Sequence, residues 1–186
     1  MPAHHSLTIR VPLPSMLPAE AVIETLQSQS PVIRHQPLIT RFEKVPVLLD
    51  SIVDDEFFLE TGLKIASYKV YEKVTVVPGV KTEISFPAIL QNIPNGLRSR
   101  ASAPGGVRVW SEWLVVPRPA ERWPGEHSSG KLVGYVEGDY DLVETTRVET
   151  SRMLMPLVKG QMESAHRDMV RKMLDEVAQR IGRVKI

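Results

Sequence analysis

A single carboxyl side chain interrupts an apolar strand pattern in the middle of this chain. Over residues 68–76 every second residue is apolar except Glu72, so the strand period of two places this carboxyl among valines. Burial disfavours the charged form and raises a carboxyl pKa, which makes Glu72 a candidate proton donor. A buried ion pair with an arginine such as Arg100, or a place at the rim of the sheet, are the alternatives.

Glu144 and a group of arginines are the other charged candidates. Glu144 lies in an alternating segment, where the same burial argument makes it a second candidate acid. Arg98 and Arg100 flank a serine, and clustered guanidinium groups can bind a carboxylate or polarise a carbonyl. A solvated sheet face explains these arginines as well. The candidate catalytic residues are Glu72, Arg100 and Glu144.

The histidines lack the spacing of a metal site. His166 follows Ala165 at the edge of an apolar helical stripe, where a packed residue is more frequent than a base. His4 and His5 fit a frayed terminus better than a metal site. Cysteine, Gly-x-Gly-x-x-Gly, a phosphate loop and Gly-x-Ser-x-Gly are all missing. We therefore expect no metal, no cofactor and no cysteine nucleophile.

Three aromatic side chains on inward strand faces and three methionines on one helical stripe are candidates to line a ligand cavity. Aromatic rings offer flat polarizable surfaces, and thioethers adapt to irregular ligands, although plain core packing uses both in the same way. The predicted ligand-binding set comprises Tyr68, Phe86, Trp113, Met162, Met169, Met173 and His166. At least two of the methionines are expected to contact a cavity shared with Phe86 or Trp113.

The elements that must position these residues are mostly strands. Strand patterns cover residues 6–11, 38–45, 57–59, 65–76, 82–90, 107–116, 132–136 and 140–150, with one more strand between two turn signals at 94–96 and 104–106. Pro-Asn-Gly and Pro-Gly-Gly at those signals supply a proline-fixed φ and residues that tolerate positive φ. Further turns are predicted at Thr61-Gly62, Pro78-Gly79 and Gly138-Asp139. Pro87 predicts a strand edge or a bulge. A functional or mobile loop is predicted over residues 117–131, which include Trp123 and His127.

A helix opened by Pro18 follows the first strand, and one long helix, roughly residues 151–181, ends the chain. Its apolar residues recur in steps of three and four, and Pro156 lies in the first turn, where proline is tolerated. An antiparallel sheet with one apolar face needs a cover, and this helix is long enough to provide it. We predict one α+β domain over residues 1–186, a curved antiparallel sheet of about six or seven strands wrapped around the helix.

This order of elements resembles the helix-grip fold of the START-like (SRPBCC) superfamily, which includes plant pollen allergens and aromatic polyketide cyclases. Five features resemble a fungal branch of uncharacterised domain proteins: 71–79 (YEKVTVVPG), 92–97 (NIPNGL), 103–107 (APGGV), Trp113 and 158–166. Some members are similar to proteins of fungal natural-product pathways. The resemblance implies a cavity between sheet and helix that holds an apolar ligand.

Composition disfavours several other classes of protein. A net charge of +1 and a pI near 8.0 predict no particular attraction to nucleic acid or to membrane surfaces. The N-terminus lacks signal-peptide features, and no apolar run reaches the roughly 20 residues of a membrane span. We expect a cytoplasmic protein whose partner is a hydrophobic small molecule, without nucleic acid or stable membrane insertion. A homodimer is left open.

These features favour a cofactor-independent cyclase or isomerase acting on a hydrophobic secondary metabolite, including a Diels–Alder type of pericyclase. Holding reacting groups in a near-attack geometry lowers a barrier by itself, and one hydrogen bond to a carbonyl adds to that. The alternative is a non-catalytic lipid or small-molecule carrier on the same fold. A third hypothesis is an interaction module in which bulky side chains fill the space under the helix.

Overall fold

The computed structural model of the protein describes residues 2–58, 63–77, 80–119 and 136–182. Its strands are β1 (Pro2–Pro14), β2 (Ile39–Val45), β3 (Ile65–Val77), β4 (Val80–Ile93), β5 (Gly96–Ala103), β6 (Val107–Pro117) and β7 (Glu137–Ser151). Its helices are α1 (Ala19–Gln27), α2 (Ser30–Arg34) and α3 (Met155–Arg180), with a short 3-10 turn at Leu49–Ser51.

The seven strands form one antiparallel sheet in the order β1-β7-β6-β5-β4-β3-β2. Strands β2 to β7 follow one another as a meander. The N-terminal strand β1 pairs with the outer edge of β7. The sheet curves around α3, which covers its apolar face. The predicted α+β class, with a curved antiparallel sheet wrapped around a long C-terminal helix, is confirmed.

The core lies where the second half of α3 meets the two short helices and the sheet. Met169, Met173 and Val177 of α3 are fully buried there, together with Val22 and Leu26 of α1. The predicted apolar stripe of α3 is therefore correct, and its burial supplies most of the stability of this helix. None of the described helices is long and apolar enough to cross a membrane.

Two predictions at the ends of the outer strands, the frayed terminus at His4-His5 and the turn at Gly138-Asp139, are wrong. His4 and His5 pair in register with Glu149 and Val148 of β7, so this terminus is a strand, not a frayed end. Gly138 and Asp139 belong to β7 and form no turn. A Cβ on Gly138 would lie 3.0 Å from the Ser15 Cα, so glycine serves a close approach of the chains there.

The segment before β3 also differs from its predicted strand. Phe57 and Phe58 lie in a turn, where the Phe57 and Phe58 amides donate to the side chain and the carbonyl of Asp55. Val136 is described but lies outside any strand. The predictions for Leu59, Thr61-Gly62, Pro78-Gly79, Trp123, His127 and residues 132–135 fall outside the described residues.

The two glycine turns of the meander work by different physical means. Gly105 and Gly106 have φ of 79° and 74°, as Pro-Gly-Gly predicts. Gly96 has no positive φ; a Cβ there would lie 1.8 Å from the Trp113 carbonyl oxygen, so this glycine is needed for close packing of two backbones. Pro87 lies one residue beyond the last β4–β5 pair, Ala88 with Ala101, which agrees with the predicted edge position.

Candidate functional site

A cavity of about 600 Å³ lies between the inner face of the sheet and the first half of α3. Strands β3 to β6 supply one wall, α3 another, and α2 with the start of β2 closes an end. The β4 and β6 positions are Ile84, Phe86, Ala88, Leu90, Val107, Val109, Ser111 and Trp113. These are the inward positions that the period of two predicts, and they make the wall largely apolar.

Glu72 stands on this wall, paired in register with Ile84 of β4 and Ile39 of β2. Its predicted inward direction is confirmed. Burial raises the pKa of the Glu72 carboxyl above its ordinary value because the charged form loses hydration. No ion pair to this carboxyl occurs within the described part of the chain, so Glu72 is free to meet a ligand.

Arg100 does not pair with Glu72, so the alternative of a buried ion pair between these two residues is wrong. Ser99 and Ala101 line the cavity, so the strand period sends the Arg100 side chain to the outer face of the sheet. There it binds the Asp55 carboxylate and donates to the Ser51 carbonyl at 2.6 Å. Arg100 therefore holds an outer segment of the chain against the sheet, and it is no longer a candidate catalytic residue.

Arg98 acts in the same way on the same outer face. Its guanidinium donates to the Phe57 carbonyl at 2.9 Å and to the Glu112 carboxylate. Its charge also lies 5.4 Å from the centre of the Phe57 ring. The predicted arginine cluster is thus a clamp for the segment before β3, and it faces away from the cavity.

Glu144 and His166 form a buried pair at the inner wall. Glu144 is 1% exposed on β7, and its Oε1 is hydrogen-bonded to Nδ1 of His166 on α3. Thr146 Oγ1 donates to the same oxygen at 3.3 Å, and Ser111 Oγ lies 2.9 Å from Thr146 Oγ1. A chain of hydrogen bonds thus runs from Ser111 to His166, and both of these end residues line the cavity.

This arrangement restricts the orientation of the imidazole. A carboxylate only accepts hydrogen bonds, so Nδ1 of His166 is the donor in a bond to the Glu144 carboxylate. No hydrogen bond to Nε2 is found among the described residues. Glu144 and His166 were each singled out from the sequence, but their pairing was missed, because it depends on how α3 docks against β7.

The methionines divide between the cavity and the core. Met162 lines the cavity, whereas Met169 and Met173 are fully buried beyond its end. Gln36 marks that end, since it lines the cavity and its Nε2 donates to the Met169 sulfur at 3.1 Å. The expectation that at least two methionines reach the cavity is therefore wrong, because the short helices fill the space under the second half of α3.

Tyr68 also serves the core and not the cavity. Its hydroxyl donates to Gln29 Oε1 at 3.0 Å, and Gln29 Nε2 donates to Asn92 Oδ1 at 2.9 Å. Burial raises the pKa of Tyr68. Gln29 has a φ of 70°, so this network holds the strained junction between α1 and α2. Of the predicted ligand-binding residues, Phe86, Trp113, Met162 and His166 line the cavity, and Tyr68, Met169 and Met173 do not.

Glu72 and His166 are the two ionisable side chains among the described residues that line the cavity. Within the described ranges, no group of three or more His, Cys, Asp or Glu side chains is placed to hold a metal ion. The chemistry available from this wall is therefore proton transfer and hydrogen bonding inside an apolar enclosure.

Comparisons with known proteins agree with this architecture. A family model described as a domain of unknown function (DUF7053) matches residues 2–179. The crystal structure of TTHA0849 from Thermus thermophilus is similar with a TM-score of 0.56 at 14% identity, covering 96% of this chain and 99% of that one. The crystal structure of the Zhui aromatase/cyclase from Streptomyces sp. R1128 is similar with a TM-score of 0.54 at 12% identity, covering 97% of this chain and 96% of that one. No curated protein sequence matches significantly. At such identities the likeness shows a shared fold.

Proposed function

This chain belongs to the family described as a domain of unknown function (DUF7053), and we propose that it encloses a hydrophobic small molecule under α3 and cyclises or isomerises it without a cofactor. The observation that carries the proposal is the buried hydrogen bond between Glu144 and His166 at the cavity wall. An apolar cavity alone would serve a carrier equally well. A histidine held in one orientation by a buried carboxylate adds a base, which a carrier does not need.

The proposed reaction starts with proton transfer. Nε2 of His166 takes a proton from a ligand carbon next to a carbonyl, and the Glu144 carboxylate stabilises the imidazolium that forms. The resulting enolate either attacks a second carbonyl of the same molecule and closes a ring, or regains the proton at another atom. In both cases His166 returns the proton, so the protein ends in its starting state.

Glu72 and the aromatic wall supply orientation. Burial favours the neutral form of Glu72, which donates a hydrogen bond to an oxygen of the ligand. Trp113 and Phe86 present flat surfaces against which an unsaturated or cyclic body packs. The ligand class that fits is an apolar molecule with at least one carbonyl, as in many hydrophobic secondary metabolites.

A pericyclic reaction of the Diels–Alder type is a narrower form of the same proposal. It needs a near-attack geometry and one hydrogen bond to the activating carbonyl, which the neutral carboxyl of Glu72 would donate. In that case the base function of His166 would be dispensable.

Deuterium exchange into a long-chain 1,3-diketone tests the base directly. The acidic methylene of this probe exchanges in D₂O, and NMR follows the loss of its proton signal. We expect the protein to accelerate exchange at least about tenfold over buffer, the variant His166→Gln to lose this acceleration, and His4→Gln on the N-terminal strand to keep it.

The same probe separates the enzyme from the carrier. Binding is measured independently, by the rise in melting temperature that the diketone produces. Binding without accelerated exchange would overturn the base and favour a non-catalytic carrier. Failure of the diketone, of ANS and of other lipophilic compounds to bind would overturn both functions.

A further inference from the structure

Two hydroxyl groups connect the cavity to the buried carboxyl group of Glu144. Ser111 on β6 lines the cavity and is 2% exposed, and its direct register partner on β7 is Thr146, which is fully buried. Ser111 Oγ lies 2.9 Å from Thr146 Oγ1, and Thr146 Oγ1 lies 3.3 Å from Oε1 of Glu144. Each hydroxyl has one proton to donate, so the direction of one bond fixes the direction of the other.

Glu144 determines that direction. As a carboxylate it only accepts hydrogen bonds, and a bond to a charged acceptor is stronger than a bond between two hydroxyls. The same holds for Oε1 when a proton is on Oε2, because Oε1 is then a carbonyl oxygen. Thr146 therefore donates its proton to Glu144, and its oxygen is the acceptor for the proton of Ser111. The Ser111 oxygen is left with lone pairs, and no proton, for a ligand in the cavity.

We propose that Ser111 is a specificity-determining residue that accepts a hydrogen bond from a hydroxyl group of the ligand. Ser99, opposite Ser111 in register on β5, also lines the cavity, and no hydrogen bond of its hydroxyl is found among the described residues. A ligand hydroxyl donates to Ser111 and accepts from Ser99, whereas a carbonyl or an ether oxygen has no proton for Ser111. The ligand is therefore an apolar molecule with a hydroxyl group, such as a phenol or an enol, at this position. This subsite rests on the proposed binding of an apolar ligand, but not on its conversion.

Naphthol and its methyl ether test the subsite, because the ether keeps the ring and the oxygen but cannot donate a hydrogen bond. Calorimetry gives the ratio of the two affinities for each protein. We expect this ratio to fall about fivefold in favour of the ether in Ser111→Ala, as the loss of one hydrogen bond allows. Ser102→Ala, on the exposed outer face of β5, should keep the wild-type ratio. A wild-type ratio in Ser111→Ala would overturn the subsite, since a Ser111 that donates its proton would serve both probes alike.

Thr146→Val tests the direction of the chain, because it keeps the shape of the side chain and removes the acceptor for Ser111. Ser111 is then free to donate its proton to a ligand, so acetonaphthone, whose carbonyl only accepts, should gain affinity about threefold relative to naphthol. Thr146→Ser should behave as wild type, and so should Thr145→Val on the exposed outer face. An unchanged relative affinity in Thr146→Val would show that Thr146 does not orient Ser111. Should that variant not fold, the ratio in Ser111→Ala still decides the proposal.

The outcome is separable from that of the proposed function. Failure of all three naphthalene probes to bind the wild-type protein would overturn the subsite together with the proposed cavity. The expected change of ratio in Ser111→Ala, in a protein that does not accelerate deuterium exchange into the diketone, would support the subsite and overturn the proposed catalysis alone.

Discussion

Glu144 and His166 lie 22 positions apart in the chain and are joined by a buried hydrogen bond between Oε1 and Nδ1. The bond connects the last strand of the sheet to the helix that covers it. It therefore does two things at once, since it holds α3 against β7 and sets the orientation of the imidazole at the cavity wall.

Replacing this acceptor should therefore destabilise the protein. Glu144→Gln keeps the shape of the side chain but removes its charge and places an amide near Nδ1, and a buried polar group left without a partner costs about 1–3 kcal/mol. Urea unfolding measures the loss, with Glu149→Gln on the same strand as control, since that side chain is partly exposed. Equal stability of the two variants would show that the buried pair contributes nothing to docking.

Glu72→Gln should be stabilising, and increasingly so as the pH rises. Burial raises the pKa of Glu72 in the folded protein, so the folded state keeps a proton that the unfolded chain has released. The stability of the wild-type protein therefore falls as the pH rises from the ordinary carboxyl pKa through the raised pKa of folded Glu72. The glutamine variant has no carboxyl at this position, so it does not lose stability in this way. Thermal unfolding from about pH 4 to pH 8 should show the two proteins diverging toward higher pH.

The control variant is Glu83→Gln, because Glu83 lies exposed on the neighbouring strand. The difference in stability between this variant and the wild-type protein should not grow as the pH rises. A Glu72→Gln variant that loses stability at high pH would mean that the carboxylate has a favourable partner in the folded protein.

Filling the cavity should abolish binding without unfolding the protein. Ala101 lines the cavity, and Ala101→Phe places a ring in that space. We expect the affinity for ANS or the diketone to fall at least about tenfold, with stability within about 1 kcal/mol of wild type, because open space is filled and no packed core is disturbed. Ser102→Phe, one residue on and on the exposed outer face, should bind normally. Unchanged binding by Ala101→Phe would place the ligand elsewhere.

Gly96→Ala should be among the most destabilising single-methyl additions in this chain. The added Cβ would meet the Trp113 carbonyl oxygen at 1.8 Å and its carbon at 2.9 Å, and these backbone atoms cannot move without breaking the β5–β6 ladder. We expect a loss above about 2 kcal/mol. Gly106→Ala should cost about 1–2 kcal/mol, through its positive φ alone, because no atom lies within 4 Å of the added methyl group. Chemical denaturation of both variants checks this order.

Glu176 joins α2 to α3 near the closed end of the cavity, through a 2.7 Å contact with His35 Nε2 and a bond from Arg34. Burial acts to raise the pKa of Glu176, but the hydrogen bonds and charges of His35 and Arg34 outweigh it and lower this pKa. The contacts of the ionised Glu176 with His35 and Arg34 therefore stabilise the fold at a pH above the ordinary carboxyl pKa. This stabilisation is lost as the pH falls through the lowered pKa of Glu176 in the folded protein. Glu176→Gln should lose up to about 1 kcal/mol near neutral pH and converge with wild type in acid. A constant difference at all pH values would contradict this.

The strand faces and the covering helix could be predicted from local patterns in the amino-acid sequence. A period of two along β3, β4 and β6 and a period near 3.6 along α3 are local properties, set by the geometry of each element. They were sufficient to predict that Glu72, Phe86 and Trp113 face inward and that α3 buries its methionine stripe. The residues of the sheet wall could therefore be predicted from the amino-acid sequence.

The hydrogen-bond and packing partners of these side chains depend on how the elements pack against one another. Arg100 binds Asp55, 45 positions away, because an outer segment folds back over the sheet, and Met169 packs under the short helices because the cavity ends at Gln36. The bond between Glu144 and His166 depends on the depth and rotation of α3 on the sheet. Periodicity fixes the direction of a side chain relative to its own element, whereas a hydrogen bond between elements also requires their relative placement, which many weak packing contacts set together.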